Sequence, residues 1–176
     1  PGQLVIGNLH FDTTRAHIQL AGGRPVDLVI AEAYDTTVDH PFKGNLDVDR
    51  LEALLKSTPR EAVAFLLVTV TCNGAGGQPV SLANLRAARV LADRYRVPLF
   101  LDAARIAENA YFIQQREPGY AQRTVAAIVR EMCDLADGCT FSGKKDALVN
   151  IGGFLAVRDA ELYQQAAAMA VLFEGF

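Results

Sequence analysis

Apolar and polar residues along the chain fall into two alternating patterns. A nearly unbroken apolar run, Ala62-Val63-Ala64-Phe65-Leu66-Leu67-Val68-Thr69-Val70, predicts a strand covered on both faces. Similar short runs at 4–6, 26–30, 98–101, 138–141 and 154–157 predict further strands. Between them, apolar residues recur at helical spacing. Leu82, Leu85, Ala88, Ala92 and Tyr95 mark one helix, capped by Ser81. Val48, Leu51, Leu54 and Leu55 mark another, opened by Asp47 or Asp49. A third passes through Ile18 and Leu20, with Asp12 or Thr13 as N-cap, and stops at Gly22-Gly23. Helices are also expected at 108–115, at 124–136 with Val125, Ile128, Met132 and Leu135 on one face, and from Ala160 onward. Residues 35–45 and the glycine-rich 71–79 read as loops. Strands alternating with helices imply an α/β fold, a mostly parallel sheet with helices on both faces.

The length of 176 residues suits one domain with a substantial core, and no repeat, linker or low-complexity segment divides it. A net charge of −3 without a basic run argues against nucleic acid or an anionic membrane as partner. No apolar stretch reaches membrane-spanning length. Cys72, Cys133 and Cys139 are odd in number and lack zinc-ligand spacing, which favours a reducing, cytoplasmic setting. His10, His17 and His40 share no ligand spacing and read as structural or solvent-facing. Pro1 is an unusual natural start and 172–176 has no evident stop, so the chain is expected to be a piece of something longer.

In parallel α/β sheets, ligands sit beyond the carboxyl ends of the strands. Asn73, Asp102 and Lys145 each fall just past such an end. Lys144 and Lys145 are adjacent, and a lysine held partly out of water is a nucleophile able to form a Schiff base with a carbonyl. The Ser142 hydroxyl and Gly143 N–H are placed to receive an anion such as a phosphate. Asp102 can pair with a protonated ring nitrogen. Together these are the parts of a pyridoxal phosphate site. Plainer roles exist for single residues: Asp102 as a loop cap, Asp12 as a helix cap, Phe11 as core, Asn150 as a turn residue.

Three long motifs carry a family likeness. They are Thr71-Cys72-Asn73-Gly74-Ala75-Gly76-Gly77-Gln78-Pro79-Val80-Ser81; Asp102-Ala103-Ala104-Arg105 with Glu108-Asn109-Ala110-Tyr111-Phe112-Ile113; and Ser142-Gly143-Lys144-Lys145-Asp146. They resemble the tryptophanase and tyrosine phenol-lyase family, β-eliminating lyases of the aspartate aminotransferase fold that use pyridoxal phosphate. The resemblance implies that residues 1–176 are the central part of the large cofactor-binding domain, with the family's N-terminal segment and C-terminal small domain outside them. It implies that Lys145 binds the cofactor and abstracts the substrate α-proton, while Asp102 keeps the pyridine nitrogen protonated. Arg105 and Asn73 would lie near the cofactor's phenolic oxygen and the substrate carboxylate. Phe11 would stack on the ring, Ser142 would hold phosphate, and Lys144 would order water. The Asn150 carbonyl falls where the family binds potassium. A homo-oligomer, a tetramer in the family, is implied as well.

The substrate implied is an aromatic amino acid. Asp12 resembles the tryptophanase side, where a carboxylate faces the indole N–H, and Thr71-Cys72-Asn73 and Glu174-Gly175-Phe176 lean the same way. Gly138-Cys139-Thr140 with Ser142-Gly143, and 149–153, look more like tyrosine phenol-lyase. Cleavage of tryptophan to indole, pyruvate and ammonia is the expectation, because Asp12 would touch the leaving group. Tyrosine cleavage to phenol is the alternative, as is an inactive cofactor-binding fragment. Without the family's phosphate loop and carboxylate-binding arginine, these residues alone are expected to turn over little or no substrate.

Overall fold

Among the described residues, six strands form one sheet in the order β2-β1-β3-β4-β5-β6. In this computed structural model, which describes residues 2–174, they are β1 (Leu4–Gly7), β2 (Arg24–Asp27), β3 (Val63–Thr69), β4 (Leu99–Asp102), β5 (Gly138–Ser142) and β6 (Gly153–Val157). Pro1, Gly175 and Phe176 lie outside the described residues, and with them most of the Glu174-Gly175-Phe176 likeness. The first five strands run parallel; β6 is antiparallel to β5. The helices are α1 (Asp12–Leu20), α2 (Val48–Ser57), α3 (Leu82–Tyr95), α4 (Ile106–Arg116), α5 (Val125–Asp134) and α6 (Ala160–Glu174). No helix among the described residues is long and apolar enough to cross a membrane.

Paired residues in a parallel ladder point to the same side, and side chains alternate along each strand. The register Ile6–Leu66–Leu99 therefore puts Leu4, Ile6, Leu66, Val68, Leu99 and Leu101 on one face. There they pack with Leu51 and Leu55 of α2, Leu82 and Leu85 of α3, Ile113 of α4, and Ile128 and Met132 of α5. The step from β1 to β2 runs along the sheet opposite to the later steps. Right-handed crossovers then place α1 on the other face. That face carries Val5, Leu67 and the edge-to-face pair Phe65–Phe100, and at its carboxyl end Thr69 and Asp102. Leu66 on β3 is fully buried. Leu66→Ala is expected to cost about 3 kcal/mol, from lost transfer energy and the cavity left behind. A urea midpoint left unchanged would remove Leu66 from the core.

Local capping explains most helix starts. The Asp47 side chain accepts the Arg50 N–H at 3.0 Å, and the Ser81 hydroxyl accepts the Asn84 N–H at 3.1 Å. Three boundaries differ from the expectations. Phe11, not Asp12 or Thr13, is the N-cap of α1, and it gives no side-chain hydrogen bond. The strand expected at 26–30 begins at Arg24 and ends at Asp27, whose carboxylate takes the His10 N–H at 3.1 Å. Leu28 and Val29 stay buried, but Val29 pairs with Leu46 as an isolated bridge. Finally, α4 starts at Ile106 rather than Glu108, because a distant carboxylate, that of Asp146, accepts its first N–H groups.

Candidate active site

The carboxyl ends of β3, β4 and β5, with the start of α1, enclose a cleft of about 460 Å³. Phe11, Asn73, Asp102, Arg105, Ser142, Lys144 and Lys145 all line it. Asp12 and Asn150, both exposed, do not. All three motifs therefore meet in space, as sheet topology requires.

Asp102 ends β4 and is partly buried. Burial pushes its pKa above the ordinary carboxylate value; the Ala104 N–H and the Thr14 hydroxyl, through hydrogen bonds, oppose that only in part. The Thr14 contact is long, 3.5 Å to Oδ2. Such a carboxylate gains from a cationic partner. Two further cleft-lining groups, the Thr69 and Thr71 hydroxyls, are buried without a hydrogen-bond partner.

Lys145 stands in the loop after β5. Gly143 folds that loop back: its N–H donates to the Gly152 carbonyl at 2.8 Å, and its carbonyl accepts the Val149 N–H at 3.1 Å. A Cβ at Gly143 would stand 2.7 Å from Val149 Cγ2. The Gly143 N–H is thus consumed within the loop, contrary to the expectation that it receives an anion. The Ser142 hydroxyl remains at the cleft wall, beside Phe154, which stacks on Phe141 at 4.9 Å. Arg105 lies 3.7 Å from Glu108 in a half-exposed pair, worth little to stability. Cys72, at the start of the glycine-rich loop, is buried, and burial pushes its thiol up to about 12. It is an unreactive packing residue.

Sequence reasoning missed two supports of the cleft. Asn8 is fully buried and ties the ends of β1 and β3 together: its Nδ2 donates to the Thr69 carbonyl at 3.0 Å and its Oδ1 accepts the Thr69 N–H at 2.9 Å. His10 is buried as well, with Nδ1 2.6 Å from Asp27 Oδ1 and Nε2 unpartnered. Arg15 Nη2 pairs with the other Asp27 oxygen. Burial alone would raise the Asp27 pKa, but hydrogen bonds from His10 and the positive charges around it bring the net shift below the ordinary value. Gly7 makes room for this ring, since a Cβ there would sit 3.1 Å from His10 Cε1 and 2.4 Å from the Leu67 carbonyl oxygen. The only local signal was a polar pair, Asn8 and His10, directly after an apolar strand.

A sheet of this topology, with a lysine and a partly buried aspartate lining one cleft at the carboxyl ends of its strands, has an aminotransferase-type fold. Among solved structures it resembles an aminotransferase from Streptoalloteichus hindustanus, with a TM-score of 0.60 and 22% identity over 98% of this chain and 38% of that one. The family model for beta-eliminating lyases matches residues 3–174, and the chain belongs to that family. A tyrosine phenol-lyase of Intrasporangium calvum is 55% identical over 175 residues. A tryptophanase of Salinibacter ruber is 55% identical over 176 residues. The alignments cover 99% and 100% of this chain but 37% of each relative, so the chain spans well under half their length.

Family and fold imply pyridoxal phosphate, and the residues fit it. A partly buried carboxylate short of donors suits a ring N–H⁺, and the cleft lining adds two lysines and several hydroxyl side chains. Potassium fares differently. Asn150 is exposed and stands outside the cleft lining, and no step is assigned to a cation there.

Proposed function

We propose that this chain carries the cofactor-binding centre of a pyridoxal phosphate-dependent lyase that cleaves tryptophan to indole, pyruvate and ammonia. The observation that carries the reading is that Lys145 and the partly buried Asp102 line the same cleft. The cofactor, when bound, supplies a conjugated ring that delocalises the electron pair left on the substrate Cα. Lys145 Nζ would hold the cofactor covalently and, once free, would accept the substrate Cα proton. Asp102 pairs with the ring nitrogen and keeps its proton in place. Phe11 covers one ring face and excludes water from it. The Ser142 hydroxyl donates to the phosphate. Arg105 and Asn73 orient the phenolic oxygen and the substrate carboxylate, and Lys144 orders water at the rim.

Asp12 is the residue proposed to read the leaving group. It follows Phe11 directly, and its carboxylate has no hydrogen-bond or ion-pair partner among the described residues. A carboxylate near the indole N–H stabilises the leaving carbon's protonated state, and phenol lacks that N–H. One observation favours the second reading, tyrosine cleavage to phenol: Asp12 stands outside the cleft lining. We further propose a cytoplasmic homo-oligomer, with activity belonging to a longer protein rather than to these 176 residues alone. Exposed Phe154, Tyr163, Leu172 and Phe173 support association.

Pyruvate release by the complete protein and by the 176-residue chain tests the reading, with tryptophan and tyrosine as substrates. Tryptophan is expected to be cleaved faster by several orders of magnitude, the scale on which a built hydrogen bond discriminates. Equal or reversed rates would transfer the assignment to phenol release. Turnover of either amino acid by the short chain at ordinary enzyme rates would refute the need for further polypeptide.

A further inference from the structure

The first N–H groups of a helix need acceptors from outside it. At α4 the N-cap is Arg105, which supplies no side-chain acceptor. Asp146 supplies it from 39 residues away: Oδ2 accepts the Ala107 N–H at 2.6 Å and the Glu108 N–H at 3.2 Å. Its own N–H points back at the Ala104 carbonyl oxygen, 3.5 Å away. A carboxylate at this position also meets the positive end of the helix dipole. The residue after Lys145 is therefore fastened to the turn that joins Asp102 to Arg105.

The other restraints on the lysine backbone lie within its own loop. The Lys145 N–H makes a 3.4 Å contact with the Ser142 carbonyl oxygen, its carbonyl accepts the Leu148 N–H at 3.0 Å, and residues 147–151 are exposed. One ring bound covalently at Lys145 and ion-paired at Asp102 demands a set distance between the two. Displacement by about 1 Å is enough to cost roughly 100-fold in a reaction that depends on such alignment. We propose that Asp146 is a positioning residue that sets where the Lys145 amine stands relative to Asp102. This rests on the reading of the cleft given above. Asp146 does not line the cleft, so its influence passes through the loop and the α4 terminus.

The test compares the complete protein with its D146A and D146N variants. Pyridoxal phosphate binding is titrated, the adduct is fixed with borohydride and located by peptide mass, and hydrogen exchange is followed at the Ala107 and Glu108 amides. The unsubstituted protein is expected to be labelled on Lys145 alone. D146A should bind the cofactor about tenfold more weakly, the scale of a lost charge-assisted cap, and divide its label between Lys144 and Lys145. D146N, whose amide oxygen still accepts, should fall between, with exchange at both amides rising in the same order. Faster exchange in D146A with unchanged affinity and labelling confined to Lys145 would reduce Asp146 to a helix cap and overturn the proposal. If D146A does not fold, the near-isosteric D146N decides on the same criteria. Absence of label on Lys145 in the unsubstituted protein would overturn the reading of the cleft itself, and this proposal with it.

Discussion

Replacing Lys145 with alanine in the complete protein is expected to lower pyruvate release by about four orders of magnitude, the upper range for a single positioned acid–base group. Two roles are lost together. The amine that holds the cofactor is gone, and so is the base that takes the Cα proton. Borohydride should then fix no label on the 143–152 loop, whereas Lys144→Ala should leave the Lys145 label intact. Lys144 is exposed and Lys145 half-buried, so the two adjacent amines differ in access to the cleft floor. Added small primary amines should restore part of the lost rate to Lys145→Ala by serving as external bases. A variant retaining a tenth or more of the parent rate would show that the proton goes elsewhere.

Short-range patterns made much of this fold legible. β3 was evident as an apolar run, and α2 and α3 announced themselves through Asp47 and Ser81, caps adjacent in sequence to the helices they serve. Boundaries set by distant groups were not legible. Nothing near Ile106 reveals that Asp146 will accept two of its helix's N–H groups. Nothing near Val26 reveals that Asp27 will turn to His10 and Arg15, ending the strand where the pattern continues through Ile30. The cleft divides in the same way. Asn73, Asp102 and Lys145 could be placed because strand ends in a parallel sheet share an edge. The Gly143 N–H was misassigned, since its true acceptor, the Gly152 carbonyl, depends on a loop closure that composition does not encode. His10 carries no ligand spacing and reads only as structural or solvent-facing; its buried place beside Asp27 and Gly7 has no local signal.

Asp102→Asn is expected to separate chemistry from stability. On the proposed function, the carboxylate stabilises the ring-nitrogen proton, and with it the charge that develops when the Cα proton leaves. Removing a preorganised electrostatic partner of this kind costs about 100- to 1000-fold. Exchange of the substrate α-proton with labelled water should slow by that factor, while cofactor affinity falls about tenfold or less, since Lys145 and the ring contacts remain. Stability without cofactor should move the opposite way. Burial holds the folded-state pKa of Asp102 above its ordinary value of 3.8. A group shifted in that direction favours folding fully below the ordinary value, and its contribution is lost as pH rises through the folded one. At neutral pH the ionised carboxylate therefore works against folding. Asparagine keeps an acceptor for Thr14 and carries no charge to desolvate, so the cofactor-free variant should unfold at higher urea than its parent at pH 7. The gap should narrow as pH falls toward the carboxylate range. Unchanged proton exchange would show that Asp102 does not face the ring nitrogen; a variant less stable than its parent at pH 7 would show that its hydrogen bonds outweigh its burial.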